Sequence, residues 1–334
     1  MGRGGIPDVS IGLPVFNGSD FVADAIRSIL NQTYADFELI ISDNASTDDT
    51  SEVCRYFQQV DSRVRYVRQP QNLGAAKNYD TTFMLSNGRF FKWAAHDDVI
   101  EPTFLERCVE MLDTHPEAVL ACSKIGRIDG EGRVLGVDDY HLRLEAQRPS
   151  VRFRDLVCRT YSPFQVFGVM RSEVLARTKL HGNWIGSDRN LLAELALIGP
   201  FAIVEEVLFW RRMHSGSYSD SDLSPRERAE WLDPAAAPGD VAIRLLDEYR
   251  DSVLRVQLDG EETRACERVL RFDYRVARVG HRLRTALGKR SWIRRPAARV
   301  RRSLNREVAF PDSDIASGID SSEHLLNAQG GHRP

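Results

Sequence analysis

The chain has 334 residues, 42% of them hydrophobic and 28% charged, with a formal net charge of -3, which suits one large α/β domain with an appendage or two modest domains and points to no partner by charge alone. Its five cysteines (Cys54, Cys108, Cys122, Cys158 and Cys266) are odd in number and form no CxxC pair, which fits reduced cytosolic thiols and excludes a disulfide framework or a zinc knuckle. The opening Met1 to Asp8 has no apolar run, so no signal peptide is expected, and no stretch approaches the ~18 uninterrupted apolar residues of a membrane span.

The first 125 residues alternate strand and helix patterns. Val9 to Pro14 reads as a buried strand, followed by a helix capped by Ser19 or Asp20 with Phe21, Ala25, Ile29 and Leu30 on its apolar face. Glu38 to Ser42 is a second strand and about Thr47 to Gln59 a helix. Val64 to Val67 and Gly74 to Leu85 form the third pair, and Phe90 to Ala94 a fourth strand that runs into His96-Asp97-Asp98. Repeated βα units with short connections predict a doubly wound, mostly parallel sheet with helices on both faces. Ligands bind beyond the carboxyl ends of such strands, where Asn17, Asp43-Asn44 and His96-Asp97-Asp98 should converge.

Further on, Val119 to Ser123 is a strand, Gly126 to Val137 a hairpin with Asp129-Gly130 and Glu131-Gly132 turn signals, and 138 to 150 a polar loop. Gln165 to Met170 reads as a strand, Asp188 to Leu197 as an amphipathic helix ended by Gly199-Pro200, and Phe201 to Trp210 as a last strand. The expected division is a catalytic domain over 1–220, a linker over 221–239, a helical extension over 240–310 that is strongly basic from Arg271 on, and a disordered tail over 311–334. The basic extension reads either as a solvated helical pair packed on the domain or as a peripheral membrane contact with Trp292-Ile293 as anchor.

Three segments in register resemble the family 2 glycosyltransferases of the GT-A fold: Val9 to Asn17 with Ser28 to Thr33, Glu38 to Thr50, and Asn72-Leu73-Gly74 through Lys77-Asn78 to His96-Asp97-Asp98. The resemblance covers roughly residues 8 to 130 and continues more loosely to 215. It implies that Pro14, Val15 and Asn17 line a nucleoside, that Asp43 meets the base, and that Lys77 and Asn78 belong to the nucleotide wall. From the residues alone, Asp43, Asn44, Ser46 and Asp48 equally suit a turn and the cap of the next helix.

In the same resemblance His96-Asp97-Asp98 takes the place of the DxD motif, with Asp97 and Asp98 holding Mg²⁺ or Mn²⁺ on the diphosphate. The commoner pattern has an acid where this chain has Ala95, so His96 is a substitute donor, and a capping pair for the next helix is the competing reading. About ninety residues on, Trp184 to Arg189 matches the position of the general base, with Asp188 as candidate and Glu194 behind it; many relatives carry an acid where Ser187 stands. Arg211-Arg212-Met213-His214 resembles an Arg-x-His element, with Arg212 on phosphate oxygens and His214 on metal or phosphate. Trp184 suits stacking on a sugar, whereas Trp93 belongs to the core.

The expected activity is inverting transfer of a sugar from a nucleotide diphosphate, UDP by resemblance, to a hydroxyl of a glycan or lipid-linked acceptor in polysaccharide, glycolipid or cell-envelope synthesis. The expected location is cytoplasmic, with peripheral contact at the inner membrane face, and no nucleic acid partner is expected. A dinucleotide dehydrogenase is excluded because no GxGxxG follows the first strand. A sugar nucleotidyltransferase is disfavoured because Pro14 to Ser19 has one glycine and no basic residue. The remaining rival is an inactive nucleotide-binding or membrane-associated module, for which Ala95 and Ser187 speak.

Overall fold

The computed structural model describes residues 5–217, 224–234, 245–274 and 277. Strand β1 (Val9–Val15) is buried at every position, as an unbroken apolar run must be at the centre of a sheet covered on both faces. With β2 (Phe37–Asp43), β3 (Val64–Arg68) and β4 (Phe90–Trp93) it forms a parallel block in the order β3-β2-β1-β4. Helices α1 (Val22–Leu30), α2 (Thr50–Val60) and α3 (Ala75–Met84) make the crossovers. Helix α3 lies so close to β1 that a Cβ on Gly12 would stand 2.2 Å from Thr82 Oγ1 and 2.8 Å from Phe91 Cζ; only glycine fits there.

The second half follows as β5 (Val99–Ile100), α4 (Phe104–Thr114), β6 (Leu120–Ile128), β7 (Val134–Asp138) and α5 (Pro149–Cys158). After a 3₁₀ turn at Phe164–Phe167 come β8 (Val169–Arg171), α6 (Ser172–Leu175), α7 (Ser187–Ile198) and β9 (Phe201–Arg212). The sheet runs β3-β2-β1-β4-β8-β6-β9-β5, with β7 beside β6. It is mostly parallel: the long pairings, including β6 with β9, are parallel, and the antiparallel ones are short. The strand expected over Gln165–Met170 is thus a 3₁₀ turn followed by β8, which joins the two parallel blocks by pairing antiparallel with β4 and β6.

The segment expected as a linker contains a helix, α8 (Pro225–Leu232), whose end lies on α3: a Cβ on Gly74 (φ +83°) would come 2.3 Å from the Leu232 carbonyl oxygen. Helices α9 (Leu245–Arg255) and α10 (Gly260–Arg268), the latter continued by a π-helical turn over Val269–Asp273, build a second core with α5 and α7. Phe153, Leu197, Tyr249, Val253, Cys266 and Leu270 meet in it. Glu194, 1% exposed, accepts from Arg255 Nη1 at 2.5 Å and from the Ser252 hydroxyl at 3.1 Å across the α7–α9 contact. Burial of a carboxylate demands such partners. The basic residues beyond 277 and the expected tail over 311–334 lie outside the described residues.

Truncating Tyr249, which is 1% exposed in this second core, should cost about 3–5 kcal/mol, the usual range for a buried aromatic. Urea denaturation of Tyr249→Ala measures it. A loss below ~1 kcal/mol would mean that α9 is not docked as described.

Candidate active site

The cleft begins where the ends of β1 and β2 lie level, Val15 opposite Asp43. The loops that follow are stitched together by hydrogen bonds. The Asn17 backbone N–H donates to Ser46 Oγ at 3.0 Å, Gly18 N–H to Thr50 Oγ1 at 2.9 Å and Ser19 N–H to Asp48 Oδ2 at 3.1 Å, while Asn17 Oδ1 accepts from Thr47 N–H at 2.8 Å. These bonds engage Ser46 and Asp48, and Asp48 Oδ1 also accepts at 3.1 Å from the N–H of Thr50, the first residue of α2. The residues that cap α1 and α2 by position are Phe21 and Asp49, neither with a side-chain cap bond.

Asp43 is engaged by its own turn and by β3. It is fully buried and absent from the cleft wall; its Oδ1 accepts from Ser46 N–H at 2.8 Å, and its Oδ2 from the Tyr66 hydroxyl at 2.6 Å and Arg68 Nη1 at 2.8 Å. Asn44 is the neighbour that reaches the cleft, held by Asn72 Oδ1 at 2.8 Å and the Leu73 N–H at 2.8 Å. Asn78 lines the cleft, but its side chain is bound to Ser42, donating to the carbonyl at 2.9 Å and accepting from the hydroxyl at 2.6 Å. Lys77 is 60% exposed, outside the cleft wall, with Asp233 at 3.9 Å. It is a surface lysine, the usual fate of that residue.

His96-Asp97-Asp98 leaves β4 and is caught by β5, whose Val99 pairs with Trp210 of β9. That two-residue strand sets the motif against the end of β9. Asp98 Oδ1 accepts from the Arg212 N–H at 2.9 Å, and Asp97 Oδ2 lies 3.0 Å from His214 Nε2. Neither acid caps α4, which begins after Thr103. The Arg212 guanidinium, 4% exposed, donates to the carbonyls of Asp97 and Gly130 at 2.9 Å each and covers the Phe21 ring at 4.8 Å. It braces the motif, and its donors are turned to the protein instead of to a phosphate as expected. Arg211 also lines the cleft, over Phe164 at 4.7 Å.

The two acids diverge electrostatically. Burial raises the Asp97 carboxyl, but the His214 hydrogen bond and the nearby imidazoles of His96 and His214 outweigh it and hold it below the usual carboxylate range. Burial and the Asp97 charge push Asp98 well above that range. Asp97 is therefore the ionised member. Among the described residues no three His, Cys, Asp or Glu side chains are arranged to hold a metal. Asp97 with His214 nevertheless fits a cation that takes its other ligands from phosphate oxygens and water, as Mg²⁺ commonly does.

Across the cleft, Gly186 in a left-handed conformation (φ 90°) holds the N-cap position of α7. Asp188 Oδ1 accepts from the Arg189 N–H at 2.7 Å, and Oδ2 has no protein partner among the described residues. Burial raises the Asp188 carboxyl above its ordinary value, against the pull of that N–H and of the His181 and Arg189 charges. Glu194, the second candidate base, points into the second core and is excluded from the cleft by its bonds to Arg255 and Ser252. Trp93 is fully buried in the core, and Trp184 lines the cleft.

The cleft has a volume of about 620 Å³ and brings together Pro14, Val15, Asn17, Asn78, Asp97, Asp98, Asp188 and Arg212 from the expected set. His214 joins through its contact with Asp97. Not foreseen were Tyr79, Phe164, His181, Glu230 and Trp231 on the wall. The signal for His181 was its place in the polar and aromatic run before Asp188; that for Trp231 was a tryptophan in an otherwise charged stretch.

Residues 10–175 match the model of Glycosyl transferase family 2. The chain is 26% identical over 226 residues to the chondroitin synthase of Escherichia coli, covering 65% of this chain and 31% of that protein. It is 30% identical over 106 residues to the putative teichuronic acid biosynthesis glycosyltransferase TuaG of Bacillus subtilis, covering 32% and 42% respectively. The chain thus spans about a third of the length of the curated relatives it matches. Among solved structures it resembles TarS of S. aureus in complex with UDP-GlcNAc, with a TM-score of 0.59 at 17% identity, over 79% of this chain and 70% of that one. It also resembles the mannosyltransferase PcManGT of Pyrobaculum calidifontis in complex with GDP-Man and Mn²⁺, with a TM-score of 0.52 at 14% identity, over 97% and 81%. Residues 10–175 thus carry a glycosyl transferase family 2 domain, on a fold that the chain shares with TarS and PcManGT.

Proposed function

We propose that the protein is an inverting transferase that moves a sugar from a UDP-sugar to an acceptor hydroxyl in polysaccharide, glycolipid or cell-envelope glycan synthesis. One observation carries the reading: a carboxyl with a free oxygen, Asp188, shares a cleft with an ionised acid held against an imidazole, Asp97 with His214. Inversion needs the base and the leaving group on opposite faces of the sugar, and the two sites belong to different elements lining one space. The nucleotide sugars in TarS and PcManGT support a donor of this kind, and the Mn²⁺ in PcManGT supports a metal.

In this reading Pro14 to Asn17 and Asn44 receive the nucleoside, with Asp43 bracing their loop from behind through Arg68 and Tyr66. A divalent cation bound by Asp97 and His214 would neutralise the diphosphate and the charge that builds on it as the glycosidic bond breaks. Asp98 keeps the turn in place through the Arg212 N–H. Asp188 takes the acceptor proton through Oδ2 as the hydroxyl attacks the anomeric carbon. The domain division follows the same reading, with a catalytic part ending near residue 220 and the helices beyond it lending support to α7. We place the protein in the cytoplasm, with the basic stretch beyond Arg271 meeting the inner membrane face near a lipid-linked acceptor; no described helix is long and apolar enough to cross a membrane.

Three outcomes are expected. In a panel of UDP-, GDP- and dTDP-sugars, Asp188→Asn should lower donor hydrolysis by ~10²–10⁴-fold, the usual contribution of a general base, while Glu194→Gln destabilises the fold without entering the chemistry. Full hydrolysis by Asp188→Asn would remove it as the base. Isothermal titration of UDP with Mn²⁺ should show metal-dependent binding that Asp97→Asn and His214→Ala each weaken. Metal-independent binding of equal strength in all three proteins would refute the assignment. The third concerns pH. Asp188 must be ionised to act, and its carboxyl is raised, so kcat/KM should fall as pH drops through a value above the ~3.9 of a free aspartate. A rate still flat at that value would contradict it.

A further inference from the structure

Two polar groups in the cleft wall have no role in the mechanism above. Tyr79 of α3 and His181 of the loop before α7 both line the cleft, with their rings 5.1 Å apart between centroids. The His181 ring also packs edge-on against Trp93 at 4.5 Å, so that its side chain is only 8% exposed. Asp80 Oδ1 accepts from the His181 backbone N–H at 3.1 Å and lies 3.3 Å from its Nδ1. A carboxylate at Nδ1 selects the tautomer that carries the proton there and leaves Nε2 as an acceptor. Tyr79 is fixed in turn by Trp93, whose Nε1 donates to its carbonyl at 3.0 Å. Burial, together with the charges of Asp97, Asp98 and Asp188, pushes the phenol up, so its hydroxyl keeps the proton and is a donor. Neither Tyr79 Oη nor His181 Nε2 has a hydrogen-bond partner among the described residues, and neither atom is sealed from solvent.

The place of this pair in the fold says which part of a substrate it meets. Helix α3 supplies Ala75, Ala76 and Asn78 to the nucleotide side of the cleft, whereas the loop that carries His181 runs on into Asp188. The Asp80–His181 bonds and the Tyr79–His181 ring contact are the seam between those two sides. In an inverting displacement the transferred sugar lies between the diphosphate and the base, and so reaches this seam. We propose that Tyr79 Oη and His181 Nε2 are the specificity subsite for the donor sugar, the phenol donating to a ring hydroxyl and the imidazole accepting from the same hydroxyl or its neighbour. A sugar hydroxyl both donates and accepts, so a fixed donor beside a fixed acceptor suits it. A sugar lacking that hydroxyl leaves both protein atoms unpaired, which is how a polar site rejects an analogue. Asp80 acts through His181 by holding its tautomer and ring plane.

The subsite rests on the transferase reading, and the test separates the two. The probes are the nucleotide sugar that the full chain hydrolyses fastest in the panel above, its monodeoxy analogues, and the nucleoside diphosphate without the sugar, each titrated calorimetrically with Mn²⁺ present. Tyr79→Phe removes the hydroxyl and keeps the ring. His181→Phe keeps an aromatic ring and the backbone bond to Asp80 but removes Nε2. Each variant should bind the nucleotide sugar roughly 3–10-fold more weakly, the size of one neutral hydrogen bond, and the nucleoside diphosphate as the wild type does. The wild type should also bind one deoxy analogue more weakly, and neither variant should lose further affinity for that analogue, although both lose it for the others. Should His181→Phe fold poorly, Tyr79→Phe decides alone. Unchanged affinity for the nucleotide sugar overturns the subsite, as does an equal loss for the nucleoside diphosphate, which is what a merely structural role would give. Donor binding and hydrolysis at wild-type level with slower transfer to an added glycan would put the pair on the acceptor, and overturns it as well. In all these cases a wild type that hydrolyses the donor leaves the transferase reading standing. If the wild type hydrolyses no donor in the panel, that reading falls and the subsite with it.

Discussion

Carboxylates brought to the end of a sheet in a dry environment need donors, and in this protein the answer to that need determines the shape of the cleft. Asp98 is almost fully buried and takes the backbone N–H of Arg212, while the side chain of Arg212 returns to the carbonyl of Asp97. The two contacts clasp the turn after β4 to the end of β9, strands that β8 and β6 separate in the sheet. Strand β5 exists only inside that clasp. Behind it, the Lys92 ammonium is itself fully buried; burial lowers its pKa to about 7, and it donates to the carbonyls of Phe167 at 2.7 Å and Trp93 at 3.0 Å. The back of the motif is thereby tied to the 3₁₀ turn whose Phe164 and Phe167 face the cleft. The geometry of the phosphate end is a consequence of how buried polar groups are satisfied.

The first half of the fold was legible because its physics is local. An apolar run such as Val9–Val15 has few choices but a central parallel strand, and the polar residues that follow each run fall at the carboxyl edge by topology alone. The second half was less legible because short elements depend on partners far along the chain. Val99–Ile100 is too short to announce itself, and β8 is a strand only because β4 and β6 offer edges on either side. Helix α8 lies within 221–239, the segment expected as a linker, and what gives it a place is the contact of Leu232 with Gly74.

Residue roles divided along the same line. Asp97, Asp98 and Asp188 were named through the resemblance to a known family, and they do meet in one cleft. Asp43, Lys77, Arg212 and Glu194 each have the chemistry for a site, and what their side chains meet depends on the fold. Three of them have that chemistry consumed by neighbours the sequence does not place: Arg68 and Tyr66 for Asp43, the Asp97 and Gly130 carbonyls for Arg212, Arg255 and Ser252 for Glu194. Lys77 simply faces outward. The Asp80–His181 pair illustrates the converse. Two residues a hundred positions apart come into contact because α3 passes beside the loop before α7, and neither residue alone carries a pattern that would reveal it.

What the three acids of the cleft have in common is burial, and what distinguishes them is the charge beside each. Asp97 has His214 in contact and His96 near, and is driven toward ionisation; Asp98 has Asp97 for a neighbour and is driven away from it. Asp188 lies between these extremes, raised by burial and drawn back by His181 and Arg189. In the proposed reading, a diphosphate entering at the Asp97 end would bring further negative charge into a space of about 620 Å³, and in a low-dielectric cleft that charge would act on all three carboxyls. It raises Asp188 unless cations at the phosphate end cancel it first. Arg211 would supply part of that cancellation from the protein, and a divalent ion at Asp97 and His214 would supply more. Donor binding and base strength are then coupled through one electrostatic balance, so that an acid at one end of the cleft governs how readily the other end accepts a proton.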